Sequence, residues 1–318
     1  MNKRKCIKCN SFNITKKGKQ NGIQRWYCKD CKVKFQYKTN RKAPPDSEEL
    51  FYSFTFHKQT LKELSKLYHI RTSVVQNMLD EYILPKVTHT GREVYLQVDA
   101  TYFGSKDSKF CLILFRDHIN KQNLWWTFCD TERETYYRQG RYELERLGYV
   151  IKGVITDGLP MFRRVFKDIP YQMCLVHMER IIIRGTTRNP RLEAGKVLLA
   201  LARSLHTISE ERFMYLMNQY TLKYFHFLNE KTYSEETGES WYTHENLRNA
   251  FLSLQHLQDY LFTYTKDQNI SKNTNSIEGV FGHLKIKVKA HHGLSLKRKQ
   301  KIIEILLHYG SGVFDYEK

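Results

Sequence analysis

Four cysteines and three acids carry the chemistry that this sequence can do. Cys6-Ile-Lys-Cys9 and Cys28-Lys-Asp-Cys31 are two C-x-x-C pairs with eighteen residues between them. Each such turn aims two thiolates at one point, and two turns complete a tetrahedron of sulfur ligands for Zn²⁺. A segment this short has little core of its own, so metal would supply its folding energy. The competing pairing, two disulfides, suits an oxidising compartment. The opening MNKRKCIKC has no signal-peptide core, and the expectation is a reducing, intracellular setting. The acids are Asp99, Asp157 and Glu278. Mg²⁺ or Mn²⁺ takes hard oxygen ligands, and two ions roughly 4 Å apart need a bridging carboxylate and others on each side. Such a centre activates water and stabilises a leaving oxygen in phosphoryl transfer.

These acids can converge only if the secondary structure carries them together. Residues 93–98 (EVYLQV) alternate apolar and polar and predict a strand ending at Asp99. Residues 110–115 (FCLILF) and 124–128 (LWWTF) predict two more strands, and 134–148 a helix from the spacing of Tyr137, Leu144 and Leu147. Residues 150–156 (VIKGVIT) predict a fourth strand, ending at Asp157-Gly158. A short helix at 159–167 and a fifth strand at 171–176 follow. Three strands, a helix, a strand, a helix and a strand is the order of an α/β, RNase H-like fold, whose first and fourth strands are neighbours. Taken singly, Asp99 could open a turn, and Asp157 could cap the helix that starts near Leu159-Pro160. Plotted as a helix, residues 273–289 put Ile277, Phe281, Leu284 and Val288 on one face. Glu278, Gly282, Lys285 and Lys289 line the adjoining face, a carboxylate with phosphate-binding lysines beside it and a glycine that admits a close backbone. A capping box of Asn275 and Glu278 is the alternative.

Composition points to a polyanionic partner. The 318 residues are 41% hydrophobic, enough for a core, and carry a net charge of +19. The charge is uneven: residues 1–42 hold fourteen Lys or Arg against one acid, Asp30, and residues 279–303 hold seven and none. Between the cysteine pairs, Lys16, Lys17, Lys19 and Arg25 surround Trp26 and Tyr27, a mixture that suits phosphate contact and base or sugar packing. A ribbon that binds only protein is the alternative. Ala43-Pro44-Pro45 reads as a linker. Residues 60–83 then carry Leu61, Leu64 and Leu67 at helical spacing, a short turn, and Val74, Val75, Met78, Leu79 and Ile83. This is a helix-turn-helix pattern whose second helix, 73–83, suits a major groove; a plain helical hairpin shares it. No apolar run approaches the roughly 20 residues that cross a bilayer.

Four blocks, Asp99-Ala-Thr-Tyr-Phe-Gly104, Thr156-Asp157-Gly158, Gln172-Met-Cys174-Leu-Val-His177 and Asn275-Ser-Ile-Glu278-Gly279, occur in that order. Together they resemble the Mutator/IS256 superfamily of DDE transposases over roughly residues 91–310. The resemblance implies that Asp99, Asp157 and Glu278 are the catalytic triad and hold two Mg²⁺ or Mn²⁺ ions. It implies a catalytic core interrupted by an all-helical insertion, with which the spacing of Leu198, Leu201 and Leu205 and of Phe213, Leu216, Met217 and Tyr220 agrees. The Cys174-x-x-His177 pair matches a superfamily motif near the second acid, expected at the end of the fifth strand, with His177 on the scissile phosphate. A buried Cys with a structural His is the alternative. Trp241 falls in the insertion, where related transposases can stack a Trp on an extruded base; an ordinary surface or core Trp is equally compatible. The Cys₄ head is not general in the superfamily and resembles variant members with an N-terminal zinc ribbon.

The organisation expected is a zinc ribbon at 1–42, a helix-turn-helix region at 46–90, the first part of the core at 91–180, the insertion at 181–270, and the final helix with a basic segment at 271–318. The implied activity is cutting at the ends of a mobile element and joining the freed 3′-hydroxyls to target DNA. Lys285, Lys287, Lys289, Lys297, Arg298 and Lys299 would neutralise phosphates. The partners implied are terminal inverted repeats, target DNA and a second copy of the chain on DNA, with no membrane, in a prokaryotic cytoplasm at the nucleoid. A non-enzymatic DNA-binding regulator and an RNase H-like nuclease or resolvase are the rival classes. The full set of acids weighs against the first and the long insertion against the second.

Overall fold

The computed structural model describes residues 4–20, 22–37, 45–84, 86–104, 109–291 and 293–309. Ala43 and Pro44 lie outside them. The head is a three-stranded antiparallel sheet of β1 (Ile14–Gln20), β2 (Ile23–Cys28) and β3 (Lys34–Phe35). Three helices follow: α1 (Ser47–Phe56), α2 (Leu61–Leu67) and α3 (Thr72–Glu81). The sequence pattern foretells α2 and α3 but not α1. Asp46 caps α1 by accepting from the Glu48 N–H, and Thr60 with Glu63 forms a capping box on α2.

A five-stranded sheet forms the centre. Its strands are β4 (Glu93–Phe103), β5 (Phe110–Asp117), β6 (Gln122–Cys129), β7 (Val150–Thr156) and β8 (Tyr171–Met173). Their order is β6-β5-β4-β7-β8, antiparallel from β6 to β4 and parallel from β4 to β8. Between the strands run α4 (Glu134–Arg146) and α5 (Pro160–Val165), and α6 (Leu175–Thr186) follows β8. This is the RNase H-like arrangement. Every residue of β5 is buried, as a central strand covered on both faces requires.

Two expected boundaries move. β4 does not end at Asp99 but continues to Phe103, because its antiparallel neighbour β5 pairs with it through Phe103↔Phe110. The parallel neighbour β7 does stop, at Thr156, so Asp99 and Asp157 still lie where the parallel pairing ends. β8 ends at Met173 rather than running to 176, and Cys174 is the N-cap of α6. The Cys174-x-x-His177 pair is therefore the first turn of a helix, not the end of a strand.

The insertion contains α7 (Glu193–Ser204), α8 (Glu210–Leu228), α9 (Glu245–Leu257) and α10 (Thr263–Lys266). It is not wholly helical: β9 (Lys231–Tyr233) and β10 (Ser240–Tyr242) form a hairpin that carries Trp241, about half exposed. The hydrophobic spacing of α7 and α8 packs Leu198, Leu201, Phe213, Met217 and Tyr220 into the core shared with one face of the sheet. The chain closes with α11 (Asn275–Ala290) and α12 (Leu296–Tyr309), the second a helix that sequence analysis leaves as a basic segment. On the other face of the sheet, α11 and α12 bury Ile277, Phe281, Leu284, Ile303 and Leu307 together with Leu50, Phe54, Leu64, Val75 and Leu79 of α1–α3. The helices at 47–81 thus share a hydrophobic core with the central sheet.

Candidate active site

The position of α11 is fixed by a buried glutamine. Gln97 on β4 donates to the Asn273 carbonyl at 2.9 Å and accepts from the Ile277 N–H at 3.1 Å. Arg116 on β5 adds a bond from Nε to Ser276 Oγ at 3.0 Å. One side-chain amide thus bonds to backbone groups on both sides of the helix start, adding to the Ile277 N–H bond to the Thr274 carbonyl and the Ser271 hydroxyl bond to the Asn273 carbonyl. Glu278 is the next residue after this clasp, so its Cα is tied to the strand that carries Asp99.

Asp99 and Asp157 are neighbours across the parallel pair: the register runs Gln97↔Ile155, and each acid lies two residues further on. Gly158, at φ +92, lets the chain turn directly after Asp157. The Asp157 carboxylate accepts from the Leu159 N–H at 3.2 Å, and Asp99 accepts from the Ala100 N–H at 2.7 Å. Burial pushes the Asp99 carboxyl up to about 7, the Ala100 N–H opposes, and the Asp157 and Glu132 charges add to the rise. Burial also raises Asp157, against the Leu159 N–H and the His177 charge.

Glu132 is a fourth acid in this region, and the sequence pattern does not single it out. It lies in the turn between β6 and α4, where Tyr137 donates to its Oε1 at 2.5 Å and Tyr102 accepts its N–H at 3.3 Å. Burial raises its carboxyl, the Tyr137 hydroxyl opposes, and the Asp157 charge adds to the rise. No period or spacing marks a lone glutamate in a turn; only the folding of the sheet brings it near the two aspartates.

α6 supplies the cations. Its Cys174–His177 pair is held by Thr274, whose buried hydroxyl lies 3.4 Å from Cys174 Sγ and 3.5 Å from His177 Nδ1. His177 is raised despite burial, by Cys174 and then by Asp99 and Asp157. Cys174 is lowered despite burial by its bond to His177. Each group of the pair thus favours the charged form of the other, beside the acids. Glu278 is not in a capping box: Thr274 is the N-cap, with no side-chain cap bond, and Glu278 pairs instead with Arg180 at 3.0 and 3.1 Å. Among the described residues, the four cysteines are the one group of three or more ligand-type side chains whose donor atoms all lie within 4.8 Å of one another. The three acids are brought to one end of the sheet but not to that spacing.

Hard oxygens under mutual repulsion suit a divalent cation. Protons compete with it. As pH falls through about 7, Asp99 takes up a proton that an incoming metal must displace. Mn²⁺ affinity should therefore drop between pH 8 and pH 6, approaching about tenfold per unit at the acid end for one displaced proton. Calorimetric titration checks this, and a flat profile would remove Asp99 from the metal site. The linked stability has the opposite sign. A raised carboxyl favours the metal-free fold at low pH, and that contribution disappears as pH rises through about 7. The melting difference between wild type and Asp99→Asn should report it.

The cysteines do converge: Cys6 Sγ lies 3.6 Å from Cys31 Sγ, and Cys9 Sγ 3.6 Å from Cys28 Sγ. Tetrahedral zinc with bonds near 2.3 Å places sulfurs about 3.8 Å apart, so the group can hold the ion. Lys16, Lys17 and Lys19 stand exposed on β1. Trp26 is not presented with them. It packs edge-on to Tyr37 at 6.1 Å beneath Arg4, as part of the small ribbon core. Arg25 is half-buried beside Gln20. At the far end, Lys285, Lys289 and Lys297 are exposed and Lys299 partly so. Arg298 differs from that expectation: it pairs with Asp80 of α3 at 2.6 and 2.8 Å and joins the two helices. No Cβ at Gly282 would meet another atom within 4 Å, so the lysine face of α11 is open.

No protein-family model matches the chain, and no curated protein matches it in sequence. Solved structures overlap weakly. The Drosophila P element transposase strand transfer complex is 10% identical, covering 84% of this chain and 92% of that one, with a TM-score of 0.40. The HTLV-2 integrase catalytic core domain with magnesium is 16% identical, covering 50% and 99%, with a TM-score of 0.23. The Mos1 strand transfer complex is 9% identical, covering 88% and 82%, with a TM-score of 0.19. At these TM-scores the overlaps assign no function, and the sheet topology stands by itself. No helix among the described residues is long and apolar enough to cross a membrane.

Proposed function

We propose that this chain is a DDE transposase of the Mutator/IS256 type, acting on the terminal inverted repeats of a mobile element and on target DNA. The observation that carries the reading is the placement of Asp99 and Asp157 at the end of the parallel β4–β7 pair, with α11 and Glu278 clasped to the same strand by Gln97. When bound, two Mg²⁺ or Mn²⁺ ions would supply the Lewis acidity that activates water and stabilises the leaving 3′-oxygen. Asp99, Asp157 and Glu278 would hold them, and Glu132 lies within reach of the same charges. His177, whose proton affinity Cys174, Asp99 and Asp157 raise against burial, is suited to a phosphate oxygen beside the acids. The exposed lysines of α11 give the backbone a neutralising track, and those of the zinc ribbon with α3 would choose the element ends. Two ends must be cut together, so the active form would be a homodimer on DNA, at the nucleoid of a prokaryotic cell.

The test uses the purified chain and linear DNA carrying the sequences that flank its gene. With Mg²⁺ the expected result is strand breaks at inverted repeats, 3′-hydroxyl ends, and joining to a second DNA; with Mg²⁺ omitted, neither. Tight binding of that DNA with no breaks in Mg²⁺ or Mn²⁺ would leave a non-enzymatic regulator as the better reading.

A further inference from the structure

The third acid already has a cationic partner, and that partner is built to change hands. Both Glu278 oxygens face the Arg180 guanidinium, at 3.0 and 3.1 Å, and His177 Nε2 lies 3.6 Å from Oε1. A carboxylate forked in this way binds a divalent ion more weakly while the guanidinium holds it, because the two cations repel and compete for the same oxygens. Arg180 is placed to withdraw: its side chain is 51% exposed, and among the described residues its one further close polar neighbour is His177 Nε2 at 3.4 Å. α6 sets His177, Arg180 and Arg184 along one face, and their charges act on the acids: His177 on Asp99 and Asp157, Arg184 on Asp157, and Asp99 on Arg180. The guanidinium fork that fits a carboxylate fits a phosphate equally well.

We propose that Arg180 is an exchange residue: it clamps Glu278 while no divalent ion is bound, and turns to a DNA phosphate beside the cut once metal takes the carboxylate. This rests on Asp99, Asp157 and Glu278 being metal ligands, and it accounts for their standing at one end of the sheet without reaching ligand spacing. The consequence has two signs. Without the arginine, metal loses a competitor and DNA loses a contact, whereas a plain structural strut would weaken both.

The experiment uses the full zinc-loaded chain, with Mn²⁺ followed by electron paramagnetic resonance and a mixed-sequence duplex titrated across KCl concentrations. Arg180→Ala and Arg180→Gln should each bind Mn²⁺ more tightly, by up to about fivefold, the scale of a half-exposed ion pair. Each should also lower the slope of log affinity against log salt by about one phosphate contact. Arg180→Lys keeps the cation and loses the fork, so its slope should stay near wild type while Mn²⁺ binding still tightens. Mn²⁺ affinity unchanged or reduced in both neutral variants overturns the exchange, as does an unaltered salt slope. Asp99→Asn separates the two levels. If it leaves Mn²⁺ binding intact, the metal-site reading itself falls; if it weakens binding while the arginine variants fail, only the exchange falls.

Discussion

On the proposed function, Asp99→Asn, Asp157→Asn and Glu278→Gln should each reduce Mg²⁺-dependent DNA cutting by about three orders of magnitude or more, with folding and DNA binding nearly intact. Each change keeps the side-chain shape and removes one negative ligand. Lewis-acid stabilisation by a metal is worth several kcal/mol, and each ~1.4 kcal/mol is tenfold in rate. Folding should survive for a specific reason at each site. Asn at 99 or 157 removes a half-buried charge that burial and repulsion disfavour, so metal-free stability should hold or rise. Gln at 278 breaks the pair with Arg180, which is half exposed and worth little. The measurements are a cutting assay with a thermal melt on the same preparations. Full cutting by Glu278→Gln would remove that residue from the site and leave Glu132, next to the two aspartates, as the acid to test.

Stripping zinc should unfold the N-terminal ribbon and leave the rest of the chain folded. The buried apolar residues of the head are Cys6, Cys28 and Phe35, with Ile14, Trp26, Val33 and Tyr37 only partly covered. A core this small cannot offset the chain entropy of the segment. Zinc binding in small Cys-ligated modules is worth about 10–16 kcal/mol at neutral pH, larger than any other single contribution here. The thiols split in the metal-free head: against burial, N–H groups of Cys9 and Lys8 bring Cys6 down to about 7, whereas against the Ser11 N–H, Cys31 and burial push Cys9 up to about 12. One zinc per chain is expected by metal analysis. A chelator, or Cys28→Ser, should open residues 4–37 to protease while the main melting transition stays in place, because α1–α3 belong to the core of the sheet and the ribbon does not. A zinc-free preparation with a protease-resistant head would end the zinc assignment.

Most of the local structure follows from short-range physics that a sequence displays. The apolar run at 110–115 is too short for a typical helix and reads as a buried strand, and the spacing of Ile277, Phe281, Leu284 and Val288 fixes which face of α11 is covered. Two C-x-x-C turns specify their own convergence, and that is why the cysteine tetrad is read correctly before any fold is known. The placement of Asp99 and Asp157 follows from strand order, although the end of β4 does not, since that depends on how far its neighbour pairs. What sequence cannot display is pairing between distant side chains. Gln97 with Asn273 and Ile277, Arg180 with Glu278, and Arg298 with Asp80 join residues 98 to 218 positions apart, and no periodicity links them. A lysine or arginine counted as DNA-binding by composition can instead find an acid inside the fold, as Arg298 does. Glu132 enters the acid group only because the turn after β6 comes to the same end of the sheet as β4 and β7. The candidate residues are written in the chain, while tertiary structure decides which of their charges are already matched within the fold and which are left facing outward.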